Sequence, residues 1–221
     1  MKSFDAFLVP SGDWEETSFR VVAMAPCKKK LVVFGFSSSS GCWGVAASTT
    51  WDNLAFDISS LILSLPRYVY GCFYWKVHKT NKLLKLDMSR MEFSTVDLQH
   101  DIQNVVVVEA GEGRLGMFSR IRHGTVVDHY TIVQYESDGA NRWRMKNILP
   151  LPANYKCYIS GSSEGYIFLV GIPEVQSRGF PTYFSLEIKT LEIEMVGRIR
   201  FPFYHLCPYF GFPPSMAPRR I

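Results

Sequence analysis

The chain has 221 residues, 47% of them hydrophobic, 20% charged, and a formal net charge of +4. Such a composition supplies a core and excludes general disorder, while the mild positive charge favours acidic partners and falls short of a nucleic-acid signature. No apolar stretch approaches the ~20 residues that span a bilayer, and Met1–Trp14 carries no apolar run with a cleavage signal.

Strand-forming stretches follow one another along the chain. Phe19–Met24 is a strand that stands in for the Gly-led run of the later units, and Lys28-Lys29-Lys30 reads as a solvated turn, three lysines being too few for an import signal. Leu31–Phe36, a polar turn at Ser37–Ser40, and Trp43 form a hairpin. Leu54–Leu65, ended by Pro66, predicts a loop or one short helical turn. Gly71–Trp75 is a Gly-led apolar run, followed by Leu83–Asp87, the turn Met88-Ser89-Arg90, and Phe93. Val105–Val108 precedes a second Gly run, Gly113–Phe118; Tyr130–Tyr135 then turns at Ser137-Asp138-Gly139 and reaches Trp143. Tyr155–Ile159 precedes a third Gly run, Gly165–Val170, and Tyr183–Glu187 turns at Ile188-Lys189-Thr190 to reach Ile193. The Pro- and aromatic-rich tail from Phe201 reads as extended chain.

These elements repeat. Phe36 to Trp43, Leu86 to Phe93 and Leu186 to Ile193 are each 7 positions apart, and Trp43, Phe93, Trp143 and Ile193 recur every 50 residues. Each unit reads as strand, turn, Gly-strand, loop, strand, tight turn, strand, the size of a kelch-like propeller blade. A single blade cannot bury both of its faces, so blades stack. The expected fold is all-β and β-propeller-like, one domain over residues 1–221, with about four four-stranded blades in an incomplete ring or a strained small one. The four anchors are expected at equivalent, mostly buried positions.

At Phe19–Val22, Tyr70–Trp75, Leu83–Leu98, Val108–Gly116, Trp143–Pro152 and Phe212–Ser215 the sequence resembles the F-box-associated β-propeller domain of plant F-box proteins, especially those of grasses. The resemblance runs from about Trp14 to the end, and Gly111–Gly116 is its most specific part. It implies a substrate-recognition role in ubiquitin ligases, where a helical F-box docks on the Skp1 adaptor and the propeller captures a substrate. This chain departs from that pattern in having no segment that reads as an F-box. It therefore looks like a truncated member, an F-box-less paralogue or a partial gene model, and Skp1 binding is not expected.

The remaining motifs point away from chemistry. Gly111–Gly116 matches a dinucleotide fingerprint, but Met117–Tyr135 reads as β where a helix is needed, so a turn entering a strand is the better reading. His123, Asp128 and His129 fall in an expected loop, without metal-ligand spacing. Asp128-His129 would need a serine that no Gly-x-Ser-x-Gly elbow supplies. The interleaved aromatics fit core packing better than base stacking. Five single cysteines, with no Asn-x-Ser/Thr acceptor, fit reduced thiols and a cytoplasmic or nuclear location.

The expected function is thus a non-enzymatic protein-interaction module, with no catalytic, cofactor or metal residues and neither nucleic acid nor membrane as partner. The alternative is a propeller enzyme or a small-ligand binder. In each blade the connections between strands 2 and 3 vary most: Lys76–Lys82, Ser119–His129 and Gly171–Thr182. Variable loops on a rigid frame carry recognition. The candidate protein-binding residues are Lys76, Lys79, Lys82, Arg120, Arg122, His123, Gln176 and Arg178, on a face expected to be basic.

Overall fold

The computed structural model describes residues 5–9, 18–56, 63–98, 104–120, 126–134, 141–163, 165–174 and 180–198. Its strands form four sheets, each taking its strands in chain order and each antiparallel throughout. Sheet 1 holds β1 (Asp5–Val9), β2 (Arg20–Pro26), β3 (Lys30–Ser37) and β4 (Cys42–Thr50). Sheet 2 holds β5 (Arg67–Val69), β6 (Cys72–Lys76), β7 (Lys82–Asp87) and β8 (Glu92–Asp97). Sheet 3 holds β9 (Asn104–Glu109), β10 (Leu115–Arg120), β11 (Val126–Gln134) and β12 (Asn141–Pro150). Sheet 4 holds β13 (Tyr155–Ser163), β14 (Tyr166–Pro173), β15 (Thr182–Glu187) and β16 (Ile193–Arg198). The protein is therefore all-β and propeller-like, a succession of four up-and-down blades. By contacts it divides into two units, Met1–Gln103 with sheets 1 and 2 and Asn104–Ile221 with sheets 3 and 4.

The 50-residue repeat has a structural cause in the turn between strands 3 and 4. Phe36 pairs with Trp43, Leu86 with Phe93 and Leu186 with Ile193, so the seven-residue spacing is one turn length used three times. Gly41, Met91 and Leu191 each close that turn with φ of 65°, 53° and 63°. A second shared bond locks it: the amides of Ser38, Met88 and Ile188 donate to the carbonyls of Phe19, Gly71 and Gly165 at 2.9, 3.1 and 2.8 Å. Phe19 thus stands where the other two sheets have the glycine that opens strand 2. The Ser137-Asp138-Gly139 turn lies outside the described residues.

In sheet 2 the turn has its own clamp. Asp87 Oδ1 accepts from Ser89 Oγ at 2.7 Å, from Ser89 N at 2.9 Å and from Arg90 N at 3.1 Å. These bonds, the Ser89 hydroxyl first, hold the Asp87 carboxyl down at about 2 against an ordinary 3.8. The folded value is depressed, so the clamp is fully present above the unfolded value and is lost as pH falls through the folded one. An NMR titration of the Asp87 side-chain carbon is expected to show a midpoint near 2. A midpoint at the ordinary value would mean that the clamp does not form in solution.

Each unit has its own core. In the first, Val22, Met24, Leu31 and Val33 of sheet 1 pack with Phe73, Trp75, Leu84 and Leu86 of sheet 2. In the second, Val106, Val108, Phe118 and Val127 of sheet 3 pack with Cys157, Ile167, Leu169, Phe184 and Leu186 of sheet 4. Strands 2 of sheets 2 and 3 are buried along their whole length. Burial on both faces is what an unbroken apolar run such as Cys72-Phe73-Tyr74-Trp75 demands.

Two expectations need correction. The anchors do sit on equivalent fourth strands, but only Trp143 is buried, at 4% exposure, whereas Trp43 is 51% exposed. Phe93 and Ile193 fall between these. A fourth strand is the edge of its own sheet, so what covers it depends on its neighbours and not on the residue. A helical turn, α1 (Trp51–Leu54), reaches the first residue of the expected Leu54–Leu65 window, of which residues 57–62 lie outside the described residues. It starts there because the Thr50 hydroxyl caps the Asn53 amide and the Trp51 indole donates to the Cys27 carbonyl at 2.8 Å. Asp128 and His129 lie within β11 and not in a loop. Gly111–Gly116 forms a tight turn, Ala110 N to Arg114 O at 2.9 Å, leading straight into β10.

Candidate protein-binding surface

In sheets 1 and 2 the connection between strands 2 and 3 emerges at the end opposite the uniform turn. In sheet 2 this end carries Lys76, Lys79 and Lys82 around one turn. Val77 makes an antiparallel bridge to Leu63, and Ser64 brackets the strand end, its hydroxyl accepting from Lys76 N at 2.9 Å.

The three lysines are not equivalent. Lys76 is only 7% exposed. Its ammonium folds back into the turn and donates to the Val77 carbonyl at 2.9 Å and to the Thr80 carbonyl. Lys76 is thus a staple holding the turn, and the expectation of a free surface cation there is wrong. Carbonyls exposed by a tight turn need donors, and a lysine at the strand end supplies three. Lys79 is exposed, at φ 58°. Lys82 is half-buried and pairs with Asp97 at 3.5 Å.

Sheet 1 adds cations that the candidate list omitted. Its own connection between strands 2 and 3 is the Lys28-Lys29 turn entering β3 at Lys30, and all three lysines are exposed. The turn is held by Cys27 N to Lys30 O at 2.8 Å and Trp51 N to Lys29 O at 3.4 Å. The lysine run was visible in the sequence. Only the register of β2 and β3 shows that it occupies the same kind of strand 2 to strand 3 end as the sheet 2 lysines.

Arg120 belongs to the other unit, at the end of β10. It is 8% exposed, and its guanidinium carbon lies 4.6 Å from the centre of the Tyr158 ring. The expectation of an exposed Arg120 is therefore corrected as well. Arg122, His123, Gln176 and Arg178 lie outside the described residues. The loop between β10 and β11 is shorter than expected, because Ser119, Arg120 and Val126–His129 are strand residues.

The groups most suggestive of catalysis are separated by strand geometry. Ser119 lies directly across from Asp128. Tyr130 donates to Asp128 Oδ2 at 3.5 Å, and burial with that carboxylate raises the phenol above its ordinary value. His129, one residue along, points to the other face, because side chains alternate along a strand. It stacks on Phe118 at 4.3 Å and meets Asn147 Nδ2 through Nδ1 at 3.2 Å. Ser119, His129 and Asp128 therefore do not assemble a nucleophilic triad. Burial first, and then Lys146, holds His129 below its ordinary value. Burial pushes the Cys157 thiol up to about 11, away from a reactive thiolate.

Among the described residues no group of three or more His, Cys, Asp or Glu could hold a metal, and no helix is long and apolar enough to cross a membrane. Cys27, Cys42, Cys72 and Cys157 are free thiols. A shallow apolar groove of about 450 Å³, lined by Phe36, Cys42, Trp43, Met88 and Met91 among others, opens at the uniform-turn end of sheets 1 and 2.

No family model matches the chain, and no curated protein matches it. Among solved structures it is similar to TolB from Acinetobacter baumannii, at 12% identity and TM-score 0.43 over 81% of this chain and 41% of that one. It is similar to a mutant NanB sialidase from Streptococcus pneumoniae, at 15% identity and TM-score 0.47 over 80% and 30%. An oligogalacturonate lyase in complex with manganese shares 11% identity at TM-score 0.43 over 82% and 50%. The chain spans half or less of the length of each of these structures. Identities this low say nothing of activity.

Proposed function

We propose that this chain is a non-enzymatic protein-interaction module that grips an acidic partner with the strand 2 to strand 3 ends of its blades. One observation carries the reading. In the first unit the ends of sheets 1 and 2 hold Lys28, Lys29, Lys30, Lys79 and Lys82, with at least four of the five exposed. Of the acids near these ends, Asp97 is already paired with Lys82. Rigid blades with uniform turns at one end and cationic connections at the other suit recognition. The resemblance to plant F-box-associated propellers supports a substrate-capturing role in ubiquitination, in the cytoplasm or nucleus, without contact to Skp1.

The test compares two charge-reversed variants of the full chain against a plant-extract proteome. A Lys28→Glu, Lys29→Glu, Lys79→Glu variant is expected to lose acidic proteins that the parent retains. Arg90→Glu, in the uniform turn of sheet 2, is expected to retain them. Binding should also weaken with added salt, chiefly through slower association. Loss of binding only in the Arg90→Glu variant would place the surface at the opposite end. Stoichiometric recovery of Skp1 would contradict the adaptor-free reading.

A further inference from the structure

Arg120 is a buried cation whose charge is unmatched by any carboxylate among the described residues. Glu112 is taken by Arg114. Asp128 sits across from Ser119, so strand alternation places it on the face opposite Arg120. The Arg120 Nε is sealed from solvent with no hydrogen-bond partner. What the guanidinium does have is the Tyr158 ring, 4.6 Å away. An aromatic face returns only part of the hydration that a buried guanidinium gives up.

A second cation shares that ring. The Lys156 ammonium lies 5.9 Å from the Tyr158 centre and is exposed on β13. Two like charges thus gather on one ring, and neither makes an ion pair with an acid among the described residues. Tyr158 takes one face of the guanidinium and Nε is sealed, whereas the two Nη atoms are not among the sealed, unpartnered atoms, so their edge is the one to offer a ligand. Such an edge meets a planar carboxylate through two parallel bonds.

We propose that Arg120, Lys156 and Tyr158 form an anion site that takes the carboxylate side chain of an acidic peptide. Tyr158 fixes the guanidinium plane, Arg120 supplies the fork, and Lys156 supplies a second charge at the rim. The site deepens the interaction reading above and rests on it only for the source of the carboxylate. Its residues belong to the second unit, whereas Lys28, Lys29 and Lys79 belong to the first, so either idea can fail without the other.

The experiment titrates the full chain, followed by NMR of the Arg120 Nε–Hε and Lys156 Nζ signals. The probes are an end-capped Glu-rich hexapeptide, the same peptide with Gln for every Glu, and inorganic phosphate. The Glu peptide is expected to move both signals saturably, and the Gln peptide to bind at least about tenfold more weakly, the loss of one charge-assisted bond. Arg120→Lys keeps the charge but not the fork and is expected to cost a similar factor, about tenfold, with the amide spectrum otherwise preserved. If that variant does not fold, Lys156→Gln at the rim is expected to weaken the Glu peptide measurably. Equal response to the Glu and Gln peptides, tighter binding of phosphate than of the Glu peptide, or unchanged affinity in both variants would overturn the site.

Discussion

Replacing Phe118 with alanine is expected to destabilise the protein by roughly 3–5 kcal/mol. Phe118 is fully buried in the middle of β10, between Val106 and His129 in the flanking strands. It belongs to the core that sheet 3 shares with sheet 4. The ring also lies parallel to the His129 imidazole, with 2° between the planes, so its loss exposes that imidazole. The parent His129 is held below its ordinary 6.5, first by burial. In the parent, the unfolded chain takes up a proton at 6.5 before the folded one does, so stability falls as pH drops through that value and levels off below the folded one. Phe118→Ala should return His129 toward 6.5 and flatten this slope. Chemical denaturation at two pH values on either side of it measures both effects. A loss under about 1 kcal/mol would show that the site collapses freely and is not close-packed.

Gly171→Ala is the second large effect expected, about 1–3 kcal/mol from overpacking. Gly171 is central in β14, paired with Cys157 on one side and Thr182 on the other. A Cβ there would stand 2.7 Å from Phe184 Cε2 and 3.1 Å from Tyr155 Cδ1. Those two rings meet edge to face at 5.3 Å directly over the glycine. The glycine makes room for the aromatic pair, and its backbone conformation needs no special residue. Adding Phe184→Leu to Gly171→Ala should cost less than the sum of the two single changes, because the smaller side chain yields space to the new methyl. A strictly additive double variant, measured by denaturant midpoints, would show that the clash is relieved elsewhere.

The strand pattern was legible because turn chemistry repeats. The seven-residue spacing is the length of one four-residue loop closed by Gly41, Met91 or Leu191 in a left-handed conformation, and the Gly-led apolar runs are second strands, those of sheets 2 and 3 buried throughout. The first strands were harder. β5 has three residues and β1 five, too short for any period to register. Burial of the anchors was not legible, since Trp43 and Trp143 occupy the same place in their sheets and differ only in what covers them. At the candidate surface, residue type identified the cations but not their direction. The ammonium of Lys76 serves its own turn, and Arg120 lies flat on an aromatic ring. The Lys28–Lys30 run looked like an ordinary solvated turn until strand register assigned it to the same kind of end as Lys79.

The central claim is that one blade plan is repeated along the chain, and amide hydrogen exchange at three positions tests it most directly. Ser38, Met88 and Ile188 sit in surface turns, yet each amide donates to the carbonyl that opens the second strand of its sheet. All three are expected to exchange slowly, at rates near those of strand-interior amides such as Leu84 and Leu169. Fast exchange at all three, or protection at one alone, would contradict a shared blade plan.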